Sequence, residues 1–237
     1  MPDAPFKRPH HRLIAGILER LDGEFLADAQ CFFGGGTCLA LQLGEYRESR
    51  DIDFLCSSRE GFRKVREAVR VDSLGPIARK PIPLAREVRA DRDGIRTFVA
   101  AGGTRVKFEI ILEARLDLAG TPSRRLGVPV LTPALQAAEK ILANADRGDD
   151  DATFARDVID LAFFAARHRA SRPALEEGLA LAGKAYGRAA AASLERVTTM
   201  LRTRRGRLAE CARALGVGDL PVLKRGLAIV RSVASRS

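Results

Sequence analysis

Cysteine and histidine are scarce in this 237-residue chain, and neither is arranged to hold a metal. The four cysteines stand at 31, 38, 56 and 211, with no C-x-x-C pair. That spacing indicates neither a zinc motif nor a disulfide framework, and reads as buried, reduced thiols of a cytoplasmic protein. Two of the three histidines, His10 and His11, are adjacent. They read as a solvated or helix-starting pair rather than as ligands. No apolar run approaches the ~18 residues of a membrane span. The opening "MPDAPFKRPHHR" lacks the apolar stretch of a secretory signal. Internal repeats and low-complexity tracts are also missing. Acidic residues thin out late in the chain: from Lys184 onward three oppose twelve Lys/Arg, an excess of nine out of a net charge of +10. A basic terminal region favours a polyanionic partner, against the simpler reading of a solvated helical surface.

What is present divides near residue 130. With 46% hydrophobic residues the chain can bury a sizeable core. Helical spacing of Leu13, Ile14, Ile17, Leu18 and Leu21 predicts a helix over 10–21. "CFFGG" reads as a strand entering glycines, "TCLALQLG" as a helix, "DIDFLC" as a strand, and "SREGFRKVREAVR" as a helix capped by Ser57 or Ser58. "REVRA", "GIRTFVA" and "TRVKFEIIL" read as strands joined by "DRDG" and "AGG". "GVPVLTP" is a transition. Beyond Pro133 five segments read as helices and none as a strand.

The chemistry concentrates in "GGGTCLALQLGEYRESRDIDF". Side chains alternate faces along a strand, so Asp51 and Asp53 share one face while Ile52 and Phe54 anchor the other. Adjacent carboxylates repel, and a divalent cation between them relieves the repulsion. Magnesium is commonly held by one or two carboxylates and completed by substrate phosphates. Gly35 and Gly36 leave backbone N–H groups open to phosphate at a helix start, and Thr37 offers a hydroxyl. A plain turn and a surface strand are the simpler readings of "GGGT" and "DID" taken singly. In "TRVKFEIIL" the apolar residues form one face, so Lys107 and Glu109 point the other way. If this strand pairs beside "DIDFL", Glu109 joins the two aspartates, and three carboxylates can hold two metals. The alternative is a solvated strand face.

"GGGTCLAL", "SRDIDFL", "VKFEI" and "EKILANADRGDDDATFARDVIDLAFF" together resemble the AbiEii/AbiGii toxin family, within the polymerase-beta-like nucleotidyltransferase superfamily. The resemblance implies an α+β fold: a nucleotidyltransferase core domain over 1–130, with a mixed sheet and flanking helices, then an all-helical domain over 131–237. It implies a metal-dependent enzyme that moves a nucleoside monophosphate from an NTP to an acceptor. Asp51, Asp53 and Glu109 would hold magnesium or manganese. Gly35, Gly36, Thr37 and Lys140 would bind nucleotide, and Lys140 and Asp157 would act near the active centre. A hydroxyl remains at Thr37, where the family often has serine, and the third acid varies within the family. The candidate partners are an NTP, a tRNA or other RNA acceptor suited to the basic helical region, and a cognate antitoxin protein; a membrane is not among them. Read without the resemblance, Asp157 and Asp160 share a helix face and Arg156 can pair with Asp160 at i, i+4, which also describes a surface salt-bridge patch. The aspartates at 149–151 read as linker and cap. The alternatives are a non-catalytic nucleotide- or RNA-binding regulator and a transferase acting on a protein or small-molecule hydroxyl.

Overall fold

The apolar halves of the strands decide how the first part of the chain assembles. In a computed structural model describing residues 6–236, β1 (Cys31–Phe33), β2 (Ile52–Cys56) and β5 (Thr104–Leu112) bring Phe33, Phe54 and Phe108 into one buried row. Ring centroids lie 5.4 Å apart for Phe33–Phe54 and 5.9 Å for Phe54–Phe108. A one-residue slip would turn this row outward, so it holds the register. With β3 (Leu84–Ala90), β4 (Gly94–Ala101), β6 (Gly120–Pro122) and β7 (Pro129–Leu131) the order is β3-β4-β5-β2-β1-β7-β6. The sheet is mixed: β2 runs parallel to β5 and β1 parallel to β7, while the other pairs are antiparallel.

The buried sheet face meets helices α1 (Pro9–Leu18), α2 (Gly23–Asp28), α3 (Gly35–Gln42) and α4 (Arg59–Ala68). They contribute Ile14, Leu18, Leu26, Cys38, Leu41, Phe62 and Val65 to one core. Ser58 caps α4 by accepting from the Gly61 N–H. The short strand β7 lies in the stretch read from sequence as a transition, and β6 precedes it. The four cysteines are buried free thiols. His11 is fully buried rather than solvated, and its Nε2 accepts from the Ser49 N–H.

The chain separates into two compact units. One holds the described residues up to Leu41 with Ser49–Thr132, and therefore the whole sheet. The other holds Gln42–Glu48 with 133 onward. Its helices are α5 (Pro133–Arg147), α6 (Arg156–Arg167), α7 (Ser171–Tyr186), α8 (Arg188–Thr203), α9 (Arg207–Ala214) and α10 (Leu220–Ala234). Phe163, Phe164, Ile141, Leu175, Val197 and Val230 are buried in them. At Gly226 a Cβ would meet the Ala162 carbonyl at 1.9 Å, so α10 and α6 cross at a point only glycine permits. The segment Gln42–Glu48 joins this unit because Tyr46 stacks on Phe163, with centroids 4.2 Å apart. No helix among the described residues is long and apolar enough to cross a membrane.

Candidate active site

Alternation along β2 separates Ile52 and Phe54, both fully buried, from Asp53, which is only partly buried. The glycine turn is bound to this strand, since the Gly34 N–H donates to the Asp53 carbonyl at 2.9 Å. Gly35 follows at φ +69°, and a Cβ there would stand 2.8 Å from Asp53 Oδ2. The Asp53 carboxylate therefore lies against bare backbone at the start of α3. The first four N–H groups of a helix have no partner inside it. A concentration of donors thus begins where the carboxylate sits.

Asp53 and Glu109 are direct neighbours across the parallel β2–β5 pair. The condition attached to Glu109 in the sequence is met: its strand does pair beside "DIDFL". Glu109 is also answered by protein cations, Arg96 Nε at 3.5 Å and Lys107 Nζ at 2.5 Å. Asp51 lies one residue before β2, partly buried. No three His, Cys, Asp or Glu side chains among the described residues are gathered closely enough to hold a metal ion. The structure brings Asp53 to Glu109 and to Gly35 but does not preform a three-carboxylate cage. Thr37 is buried, and its hydroxyl donates to Ser49 Oγ at 2.8 Å, so in this arrangement it laces the loop before β2 to α3.

In the second unit α5 and α6 place Lys140 beside Asp157 and Asp160. This is a buried network, not a surface patch: the three side chains are 7%, 3% and 0% exposed. Lys140 Nζ lies 2.9 Å from Asp157 Oδ1 and 2.8 Å from Asp160 Oδ2. Arg147 donates to both oxygens of Asp157. Arg47 grips Asp160 through Nε at 2.6 Å and Nη2 at 2.8 Å, and the Tyr46 hydroxyl donates to it at 2.7 Å. Arg156 does not reach Asp160. It makes no ion pair among the described residues, and its buried Nε has no hydrogen-bond partner.

Burial alone would push both carboxyls up. The Lys140 and Arg147 cations override it at Asp157, and Arg47 and Lys140 do so at Asp160, so both are held below the usual carboxylate range. Burial would likewise push Lys140 down, but the two carboxylates raise it. Asp146 adds its field at Arg147, so three cations are answered by three carboxylates.

A family model described as "Nucleotidyl transferase AbiEii toxin, Type IV TA system" matches residues 17–219. The chain belongs to this family. An H. pylori structure provisionally described as a nucleotidyltransferase is similar to this AbiEii chain. The two share 20% identity with a TM-score of 0.54, over 95% of this chain and 94% of that one. JHP933 from Helicobacter pylori is similar at 19% identity and a TM-score of 0.52, over 95% and 89%. These likenesses show a shared fold. No curated protein matches the chain.

The family match spans the D-x-D strand and the helical lysine and aspartates. It was the partners of these residues that the AbiEii sequence did not disclose. Arg47 and Tyr46 lie 113 and 114 positions from Asp160, in a segment with no periodicity. Arg96 reaches Glu109 only through the β4–β5 register. The one local clue was Arg147, seven residues after Lys140 and so on the same side of α5.

Proposed function

We propose that this AbiEii-family chain transfers a nucleoside monophosphate from an NTP to an acceptor hydroxyl and acts as a toxin with a separately encoded antitoxin, in the cytoplasm. One observation carries the reading: the Asp53 carboxylate is lodged against Gly35 at the start of α3, with Glu109 beside it. The donor set is all carboxylate oxygen, and the glycine leaves a cradle that a Cβ would fill. Both suit magnesium or manganese. Asp51 and Asp53 would hold the cation, with Glu109 as a third ligand on displacing Arg96 or Lys107. When bound, it supplies charge neutralisation to the phosphates.

The chain's own groups would orient the reaction. Gly35 and Gly36 would present N–H donors to the phosphates at the α3 terminus. Thr37 would keep that terminus fixed through Ser49. The acceptor oxygen bonds to the α-phosphorus as the bond to the β-phosphate oxygen breaks, pyrophosphate leaves, and the hydroxyl proton passes to a base. Arg147, 40% exposed, is the group best placed to offer charge to a phosphate, with buried Lys140 beside it and Asp157 holding both.

The sheet face that carries Asp53 supports an RNA acceptor, tRNA included. Cross-strand partners extend it as Asp53, Glu109, Arg96, Arg89 and, in the next row, Lys107, Phe98, Arg86. Cations for phosphates with a partly exposed aromatic between them are what single-stranded nucleic acid uses. The engagement of Glu109 by Arg96 and Lys107 favours a second reading, a nucleotide- or RNA-binding regulator without turnover. Incubation with each labelled NTP, a divalent cation and total RNA separates the two. Label transferred to RNA, and lost in Asp53→Asn, is expected. Metal-enhanced nucleotide binding with no transfer would leave the regulator. Transfer to a protein or an aminoglycoside instead would move the acceptor.

A further inference from the structure

Helices α8, α9 and α10 enclose a groove of about 460 Å³. Its floor is aliphatic: Leu201, Leu208, Leu220 and Leu227 line it. Leu220 is a large hydrophobic residue left 37% exposed. Its rim is cationic: Arg202, Arg204, Arg205, Lys224 and Arg231 surround it, all exposed, and no acidic residue lines it. Arg202, Arg205, Lys224 and Arg231 make no ion pair among the described residues, and Arg204 reaches Asp151 only at 4.0 Å. Elsewhere in this unit arginines find acids readily, as Arg196 does with Asp149 and Arg207 with Asp151. Four cations without an acidic partner among the described residues thus surround this aliphatic groove.

Shape narrows the occupant. Leu220, Lys224, Leu227 and Arg231 follow one another at helical spacing along one face of α10. Eleven residue steps extend about 16 Å, three helical turns. An occupant must bury leucines over that length and carry anions on both flanks. Single-stranded RNA would satisfy the rim, but the lining holds no aromatic side chain on which a base could stack. An amphipathic helix does both: apolar residues at i, i+3 or i+4 and i+7 fill the floor, and Asp or Glu beside them meet the rim. We propose that the α8–α9–α10 groove is a docking site for an acidic amphipathic helix of about three turns on a partner protein.

The test uses the full chain as bait for a display library of random 16-residue peptides. Enriched sequences should be acidic and apolar at helical spacing. A synthetic copy should bind the Lys224→Glu/Arg231→Glu double variant at least tenfold more weakly, and its own Glu→Lys counterpart should recover affinity for that variant. Both rim residues are exposed, so the reversal leaves the fold intact; circular dichroism checks this. Leu227→Asp should also weaken binding tenfold, where a scrambled peptide of the same charge should bind poorly from the start. The proposal is overturned by enriched peptides without acidic residues, by peptide affinity that ignores the rim reversal, or by equal binding of the scrambled peptide. Rim-dependent binding of an RNA oligonucleotide or anionic vesicles, with no peptide enriched, overturns it as well.

Discussion

The two units use the same chemical group in opposite ways. In the helical unit Asp157 and Asp160 are buried, and the chain itself answers them with Lys140, Arg147, Arg47 and the Tyr46 hydroxyl. In the sheet unit Asp53 and Glu109 are set side by side and only partly buried, and the cations beside Glu109 are themselves about 40% exposed. Exposed pairs contribute at most ~1 kcal/mol, whereas removing one partner of a buried pair costs several. The helical set is therefore closed by its own counter-charges and holds structure. The sheet set is close to water and can exchange partners, which is what a site for a dissociable cation needs.

The largest expected effect comes from opening the closed set. Asp160→Ala would leave Arg47 and Lys140 with a buried charge excess and the Tyr46 hydroxyl without its acceptor. The expected loss is about 3–5 kcal/mol in urea unfolding. A change under ~1 kcal/mol would place the network among exposed pairs and erase the contrast.

Asp53→Asn reverses the pattern. It keeps side-chain size and removes one of two adjacent negative charges, so stability should hold within ~0.5 kcal/mol. Nucleotide transfer should fall about 1,000-fold, or ~4 kcal/mol in transition-state stabilisation. Transfer at near wild-type rate would remove Asp53 from the reaction.

Acid sharpens the same distinction. The folded-state pKa values of Asp157 and Asp160 lie below their unfolded values, so their stabilisation is fully present at neutral pH. It should begin to fade as pH drops below about 4, the unfolded value, and be lost as pH falls through the lower folded values. Asp157→Asn should flatten the fall in stability between about pH 5 and pH 2 by ~2 kcal/mol. An unchanged slope would mean that Asp157 is not held down by Lys140 and Arg147.

Gly35→Ala tests the cradle. Any non-glycine residue at φ +69° costs ~1–2 kcal/mol, and here the new Cβ also meets Asp53 Oδ2 at 2.8 Å. Gly103, at φ +74° with nothing within 4 Å of a Cβ, is the control for the backbone cost alone. Equal effects of the two substitutions on transfer would show that the carboxylate is not confined by Gly35.

Sequence displayed what periodicity can carry. Ile52 and Phe54 alternate with Asp51 and Asp53, and Val106, Phe108 and Ile110 alternate with Lys107 and Glu109, so the faces of β2 and β5 were legible. Their pairing was conditional until the phenylalanine row fixed the register. Strands β6 and β7, three residues each, and α2, six residues, are too short to show a period. Helix α9, eight residues beyond a break at Gly206 in the left-handed region, is not among the five segments that read as helices. The allegiance of Gln42–Glu48 rests on the demand of a buried Asp160 for counter-charge, a non-local requirement with no local signature.

The smallest expected effect decides which cations meet an RNA acceptor. The charge excess after residue 184 includes Arg204, Arg205 and Arg207. Arg207 is buried and paired with Asp151 and Glu210, so it is unavailable to phosphate. Arg89, by contrast, is exposed, makes no ion pair among the described residues, and continues the row that starts at Asp53 and Glu109. One phosphate contact changes the log–log salt slope by ~0.7–0.9 and is equivalent to roughly sixfold in affinity near 0.1 M salt. Arg89→Ala should flatten the slope for RNA by about that amount while leaving NTP affinity unchanged, and Arg204→Ala should leave the slope alone. The reverse result, a slope that follows Arg204 and ignores Arg89, would move the acceptor from the sheet face to the helical unit.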